Sequence, residues 1–167
     1  MTDPSRWVAL QLTDVAEALR CTGDPLPTGF DLRPVELDAD LPQIAALYNA
    51  AFGLEGPDAV TPNKALRFTW HPGLHPTGAF LVFAGPLAVG LGLGRVEVPA
   101  PGSTARRGAV ELLAVRPEYR RRGIARALLH AVLGWLASQG VTRVAASVED
   151  TPALLMLQRY GFSPASL

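Results

Sequence analysis

Several things are scarce or missing in this sequence, and each absence removes a class of function. Cys21 stands alone in 167 residues, so no internal disulfide can form. Lysine occurs once, at Lys64, and every other basic residue is arginine. Fifteen basic and fifteen acidic side chains cancel, which argues against a general nucleic-acid or membrane surface. No run approaches the ~18 uninterrupted apolar residues that cross a bilayer. The opening Met1 to Arg6 carries neither the basic start nor the apolar stretch of a secretory signal, and a cytoplasmic protein is expected. Gly-Lys-Ser/Thr is absent, which excludes a Walker phosphate loop, as is the three-glycine dinucleotide fingerprint. Internal repeats and low-complexity tracts are lacking too, and no metal is expected. What remains is 49% apolar and 18% charged, the composition of a folded globule with enough chain for a real core.

The positive charge is local. Arg116, Arg120, Arg121, Arg122 and Arg126 fall within eleven residues. They follow the apolar run Val110 to Val115 and the breaker Arg116-Pro-Glu-Tyr119, and precede an amphipathic stretch from Gly123 to Gln139 closed by Gly140. This predicts a strand, a tight basic turn and a long helix. The first N–H groups of a helix have no partner inside it, and the aligned peptide dipoles make that end positive. Small residues at Gly123 and Ala125 let a ligand approach the backbone. Such a turn suits a diphosphate. In the helix, Ile124, Ala127, Leu128, Ala131 and Trp135 share one face, which predicts core packing.

The spacing Arg120-x-x-Gly123-x-Ala125 resembles the acyl-CoA signature of the GNAT acyltransferase superfamily, Arg/Gln-x-x-Gly-x-Gly/Ala. Asp31 to Val35 followed by Asp40 to Phe52 is similar to the family's first strand and first helix. Ala153 to Phe162 is similar to its last helix and the Gly-Phe that follows. The resemblance covers residues 29 to 165 and implies a mixed α/β (α+β) sheet, the acyl-CoA N-acyltransferase fold with a shortened C-terminal end. Residues 1–29 then form an N-terminal extension and 30–167 the acyltransferase domain.

The resemblance also implies a chemistry: acetyl transfer from acetyl-CoA to an amine, with no metal. Pantetheine would lie between the splayed fourth and fifth family strands, bonded by the backbone of Leu113, Ala114 and Val115. The N–H groups from Arg121 through Arg122, Gly123, Ile124 and Ala125 to Arg126 would hold the pyrophosphate, and the guanidinium groups of Arg116, Arg121 and Arg126 would add charge. Arg120 occupies the signature position, where the amide often matters more than the side chain. Tyr48, Asn49, Phe52, Trp70 and the loop 53–78 are expected on the acceptor side. The acceptor is a small-molecule or peptide amine, with nucleic acid and membrane excluded and a homodimer left open. A non-catalytic acyl-CoA-binding domain is the alternative.

An amine acceptor must lose a proton before attack. Glu111, on the cofactor strand, is the first candidate base; the rival expectation is an ion pair with an arginine. Glu149 and Asp150 form a second pair, and His71 and His75 sit in the acceptor loops. The acid that protonates the departing thiolate is usually a tyrosine on the family's last helix. Here Leu157 stands at that place. Tyr160, three residues later, either substitutes or packs ahead of Gly161-Phe162.

Family domains usually continue past Gly-Phe with two further strands, whereas Ser163 to Leu167 is all that remains here. An unfinished sheet would leave backbone groups unpaired. Arg6 to Leu12, apolar at strand spacing, is expected to fill part of that gap, within the chain or from a partner subunit. Asp14 and Glu17 then form a capping box for a short helix through Arg20; the competing expectation is one helix from Pro4 to Arg20. Alternatively, the chain is one half of a tandem protein.

Overall fold

The structure is a computed structural model that describes residues 8–69 and 74–165. In chain order the elements are β1 (Val8–Leu12), α1 (Val15–Thr22), β2 (Phe30–Pro34), α2 (Leu37–Phe52), α3 (Pro62–Thr69), β3 (Leu74–Ala84), β4 (Leu87–Val96), β5 (Arg107–Val115), α4 (Ile124–Ser138), β6 (Arg143–Val148), α5 (Thr151–Arg159) and β7 (Ser163–Pro164). The strands form one mixed sheet in the order β2-β3-β4-β5-β6-β1-β7. Among these, β5 and β6 run parallel and every other neighbouring pair is antiparallel.

The expected N-terminal strand exists and belongs to the sheet of its own chain. Val8 to Leu12 pairs with Val148 to Val144 of β6. It then gives its other edge to Ser163 and Pro164. Leu10 and Leu12 are buried among Val144, Ala146, Leu157 and Phe162. Alternation with period two is what a strand covered on one face requires, and it settles strand plus helix over a single helix. Asp14 caps α1 by accepting the Glu17 N–H. The reciprocal half of the capping box is missing, because the Glu17 carboxylate turns to Arg20 instead.

Helix α2 begins earlier than the sequence predicts. Its cap is Glu36, and Asp40 lies one turn inside, buried to 4% exposure. There the Asp40 carboxylate accepts both Arg33 guanidinium nitrogens at 2.8 Å and the Glu36 N–H at 2.7 Å. Asp40 therefore ties strand to helix, which satisfies a charge that burial would otherwise penalise.

Helix α4 packs on one face of β3, β4 and β5, with α1 against its flank. Of the five-residue face expected for α4, Ile124, Ala127 and Leu128 are buried while Ala131 and Trp135 are half-buried, and Leu129, Val132, Leu133 and Leu136 are buried as well. They meet the β1 and α1 side of the core, so the added N-terminal elements widen the apolar stripe. Gly90, Gly92 and Gly94 line β4 beneath α4. A Cβ on Gly90 would come within 2.6 Å of Ile124, and one on Gly94 within 3.0 Å of Val132. Their small size sets how closely the helix lies on the sheet. On the other face, α2 and α3 cover Leu81, Leu91 and Leu93.

Candidate acyl-CoA site

The site begins where two parallel strands part. The β5–β6 ladder runs from Arg107 opposite Arg143 to Val110 opposite Ala146 and then stops. Beyond it, Leu112 to Val115 stay paired with β4, while Ser147 and Val148 follow β1. The inner edges of β5 and β6 diverge, leaving a V whose β5 wall is Glu111 to Val115. Unpaired strand backbone of this kind can accept an extended ligand as a further strand. Glu111 sits in a bulge, since Leu93 faces Leu112 and Gly94 faces Val110 with no residue opposite Glu111.

The basic turn lies at the open end of the V. After a tight turn at Pro117–Tyr119 the chain reaches Arg121, whose φ is 63°, and Gly123, whose φ is 82°. Arg121 is the one non-glycine residue with positive φ among the described residues. Such geometry turns successive amides toward one side, as anion-binding nests do. The first helical bond runs from the Ala127 N–H to the Gly123 carbonyl. Among the described residues, no acceptor reaches the N–H groups of Arg121 to Arg126.

The arginines divide by task. Arg116 donates from Nε to the Ala88 carbonyl at 2.9 Å. Arg120 donates from Nε to the Val115 carbonyl and from Nη2 to the Ala51 carbonyl. Arg122 reaches the Glu118 carbonyl and lies over the Tyr119 ring. Arg126 pairs with Asp24 at 2.6 Å, and its buried Nε has no partner among the described residues. Arg121 is exposed and bonds to no described side chain or carbonyl. Its guanidinium is unengaged among the described residues, whereas Arg116 and Arg126 are already bonded.

Glu111 accepts from Arg95 Nε at 2.9 Å through Oε2, so the ion-pair expectation describes its resting contact and leaves Oε1 available. Asp150 caps α5 by accepting the Ala153 N–H at 2.7 Å. Leu157 is 2% exposed, and Tyr160 packs against the same core cluster. His75 is exposed and bonds through Nδ1 to Thr77.

Of the residues expected on the acceptor side, Tyr48 and Phe52 meet with their rings tilted at 45° and centroids 4.6 Å apart, and burial pushes the Tyr48 phenol upward. Phe52 is 49% exposed. Asn49 uses both ends of its amide on the Val60 backbone, which holds the loop after α2. Trp70 and His71 lie outside the described residues, as do Arg6 and Trp7. Two surface depressions, around Glu97 with Ser103 and around Gln11 with Arg143, lie at the opposite, N-terminal end of β5. Asp24 and the carbonyls that latch the arginines left no sequence signal, since those contacts join distant segments. The alternation of Gly90, Gly92 and Gly94 was such a signal.

The chain is 32% identical over 142 residues to a mycothiol acetyltransferase of Thermobispora bispora, a match covering 83% of this chain and 48% of that protein. A GCN5-related N-acetyltransferase of Sphaerobacter thermophilus superposes with a TM-score of 0.70 at 24% identity, over 95% of this chain and 48% of that one. The chain thus spans about half the length of both. An aminoglycoside N-acetyltransferase in complex with CoA superposes with a TM-score of 0.65 at 19% identity, over 86% of this chain and 94% of that one. Residues 41–162 match the acetyltransferase (GNAT) family; with the splayed strands and the helix start already described, the chain belongs to that family.

Proposed function

We propose that this chain transfers the acetyl group of acetyl-CoA to the amine of a small-molecule or peptide acceptor, in the cytoplasm where that thioester is found. The acyltransferase unit is residues 30–167, with 1–29 as an extension that borders its sheet. One observation carries the proposal. Six consecutive N–H groups, Arg121 to Arg126, have no acceptor among the described residues and stand at the mouth of the β5–β6 V. The cradle fits a pyrophosphate, because main-chain donors at a helix start meet oxygens without displacing any bond. Arg121 adds a charge-assisted bond, and Leu113 to Val115 offer their open edge to the pantetheine amides. The family's relatives support the acceptor class, since two bear the names of a mycothiol and an aminoglycoside acetyltransferase.

When bound, acetyl-CoA supplies an activated thioester carbonyl. Glu111 is placed by its bulge beside that strand and takes the proton from the acceptor amine, directly or through water. Backbone N–H groups of β5 stabilise the charge that develops on the carbonyl oxygen. Tyr160 is the remaining candidate to return a proton to sulfur. Tyr48 and Phe52 form the apolar lip that receives the acceptor, Trp70 adds to that acceptor side, and Asn49 holds the segment after α2 through the Val60 backbone.

A second reading has its own observation: Leu157 is buried where the family's tyrosine stands, and Tyr160 packs in the core. A domain that binds CoA without turnover would look the same there. Calorimetry with acetyl-CoA, followed by thiol release across an amine panel, separates the two. Tight binding with no thiol released from any amine favours the binder, and no binding at all removes both.

A further inference from the structure

The side chain at the signature position does work that its motif does not describe. Arg120 leaves the basic turn and reaches two elements at once. Its Nε donates to the Val115 carbonyl at 3.1 Å, the last residue of β5. Its Nη2 donates to the Ala51 carbonyl at 2.8 Å, in the last turn of α2 and 69 residues away in sequence. The end of a helix leaves carbonyls unpaired and carries partial negative charge, which a nearby cation stabilises. Helix α2 has no basic residue of its own in its last turn. The Asn49 carbonyl is closed by the Leu54 N–H; the Ala51 carbonyl is closed by Arg120. That same turn carries Tyr48 and Phe52, their rings in tilted contact, and Asn49, clamped to Val60.

We infer that Arg120 is a positioning residue that couples the diphosphate cradle to the acceptor lip, so that filling the cradle stiffens the C-terminal turn of α2. The inference rests on the acyl-CoA reading of the cradle. Arg120 is adjacent to Arg121, whose left-handed backbone begins the row of free amides. A ligand that locks those amides restricts the residue from which the strut springs, and the strut ends on Ala51. Coupling of this kind is a difference in free energy between sites and needs no new contact to the second ligand. A lysine ends in a single nitrogen and does not reproduce the two separate donors, Nε and Nη2, from which Arg120 reaches the two carbonyls.

The test is amide hydrogen exchange read by mass spectrometry, with CoA itself as the probe. Wild type, Arg120→Ala and Arg120→Lys are each measured without CoA and at saturating CoA, with saturation established by calorimetry. In wild type, CoA is expected to slow exchange at residues 50–55 by about fivefold, as well as at the cradle, a size typical of coupled sites. In both variants the cradle should still gain protection while residues 50–55 gain none. Protection at 50–55 that persists in the variants, or that never occurs in wild type, overturns the inference. A variant that millimolar CoA cannot saturate, while its thermal melt stays cooperative, overturns it too, since Arg120 would then be a phosphate ligand. If neither variant folds cooperatively, Arg120 is a folding strut and the coupling role falls. Absence of any calorimetric signal in wild type is the separate result that removes the acyl-CoA reading itself.

Discussion

Replacing Gly90 by alanine tests whether β4 is shaped to seat the cradle helix. The added Cβ would lie 2.6 Å from Ile124 Cγ2 and 3.0 Å from Leu128 Cδ1. Carbon atoms normally rest about 3.5–4.0 Å apart, so one contact is short by roughly 1 Å. Both neighbours are fully buried and cannot swing into solvent. Ile124 is also the first residue of α4, so relief comes by lifting the end of the helix that carries the free amides. Overpacking of this sort costs about 1–3 kcal/mol. In a domain of this size that lowers the melting temperature by roughly 3–10 °C. Gly92→Ala is the graded comparison: its nearest contacts, Leu128 Cβ and Val132 Cγ2, are both at 3.2 Å, and under about 1 kcal/mol is expected. Gly134→Ala is the opposite control. It lies mid-helix with its nearest atom, Leu19 Cδ2, at 4.0 Å, and should stabilise by about 0.5–1 kcal/mol through helix propensity. Urea and thermal unfolding rank the three variants, and calorimetry with CoA should find Gly90→Ala weakened. A Gly90→Ala protein as stable as wild type, or a ranking with Gly92→Ala as the worse, would refute the packing argument.

Arg121→Ala should weaken CoA binding by about tenfold to a hundredfold, the loss of one charge-assisted bond of roughly 1.5–3 kcal/mol. Its melting temperature should not move, because Arg121 makes no contact with a described side chain or carbonyl. The Arg33 guanidinium, bonded to the buried Asp40, holds that carboxyl below the usual carboxylate range. A lowered folded-state value means stability that is present above the ordinary pKa near about 4 and lost as pH falls through the depressed value. Acid unfolding should therefore steepen below about pH 4 in wild type. Asp40→Asn should flatten that slope and cost about 1–2 kcal/mol at neutral pH, discounted for the partial exposure of Arg33. Glu111→Gln should lower turnover about a hundredfold while CoA affinity holds, whereas an unchanged thiol-release rate would remove Glu111 as base. Tyr160→Phe keeps the ring in the core, so any fall in turnover without a fall in melting temperature assigns the hydroxyl to catalysis.

The sequence by itself determined the elements that depend on local chemistry. Apolar period two placed β1, the largely apolar run Val110 to Val115 placed β5, the breaker Arg116-Pro-Glu-Tyr119 ended β5, and Gly123 set the start of α4, because a left-handed backbone is cheapest at glycine. Those same few residues made the basic turn before α4 legible. Tertiary structure alone decided that β1 joins the sheet of its own chain, since pairing partners 132 to 140 residues apart leave no trace in either segment. It decided that Asp40 lies inside α2 and answers Arg33, and that α4 is buried well beyond one face. It decided, too, that of five clustered arginines Arg116, Arg120, Arg122 and Arg126 are tied to the fold, while Arg121 bonds to no described residue. Composition shows charge at a site. Which charges are already satisfied depends on carbonyls and carboxylates brought in from elsewhere in the chain, and only the folded geometry supplies those.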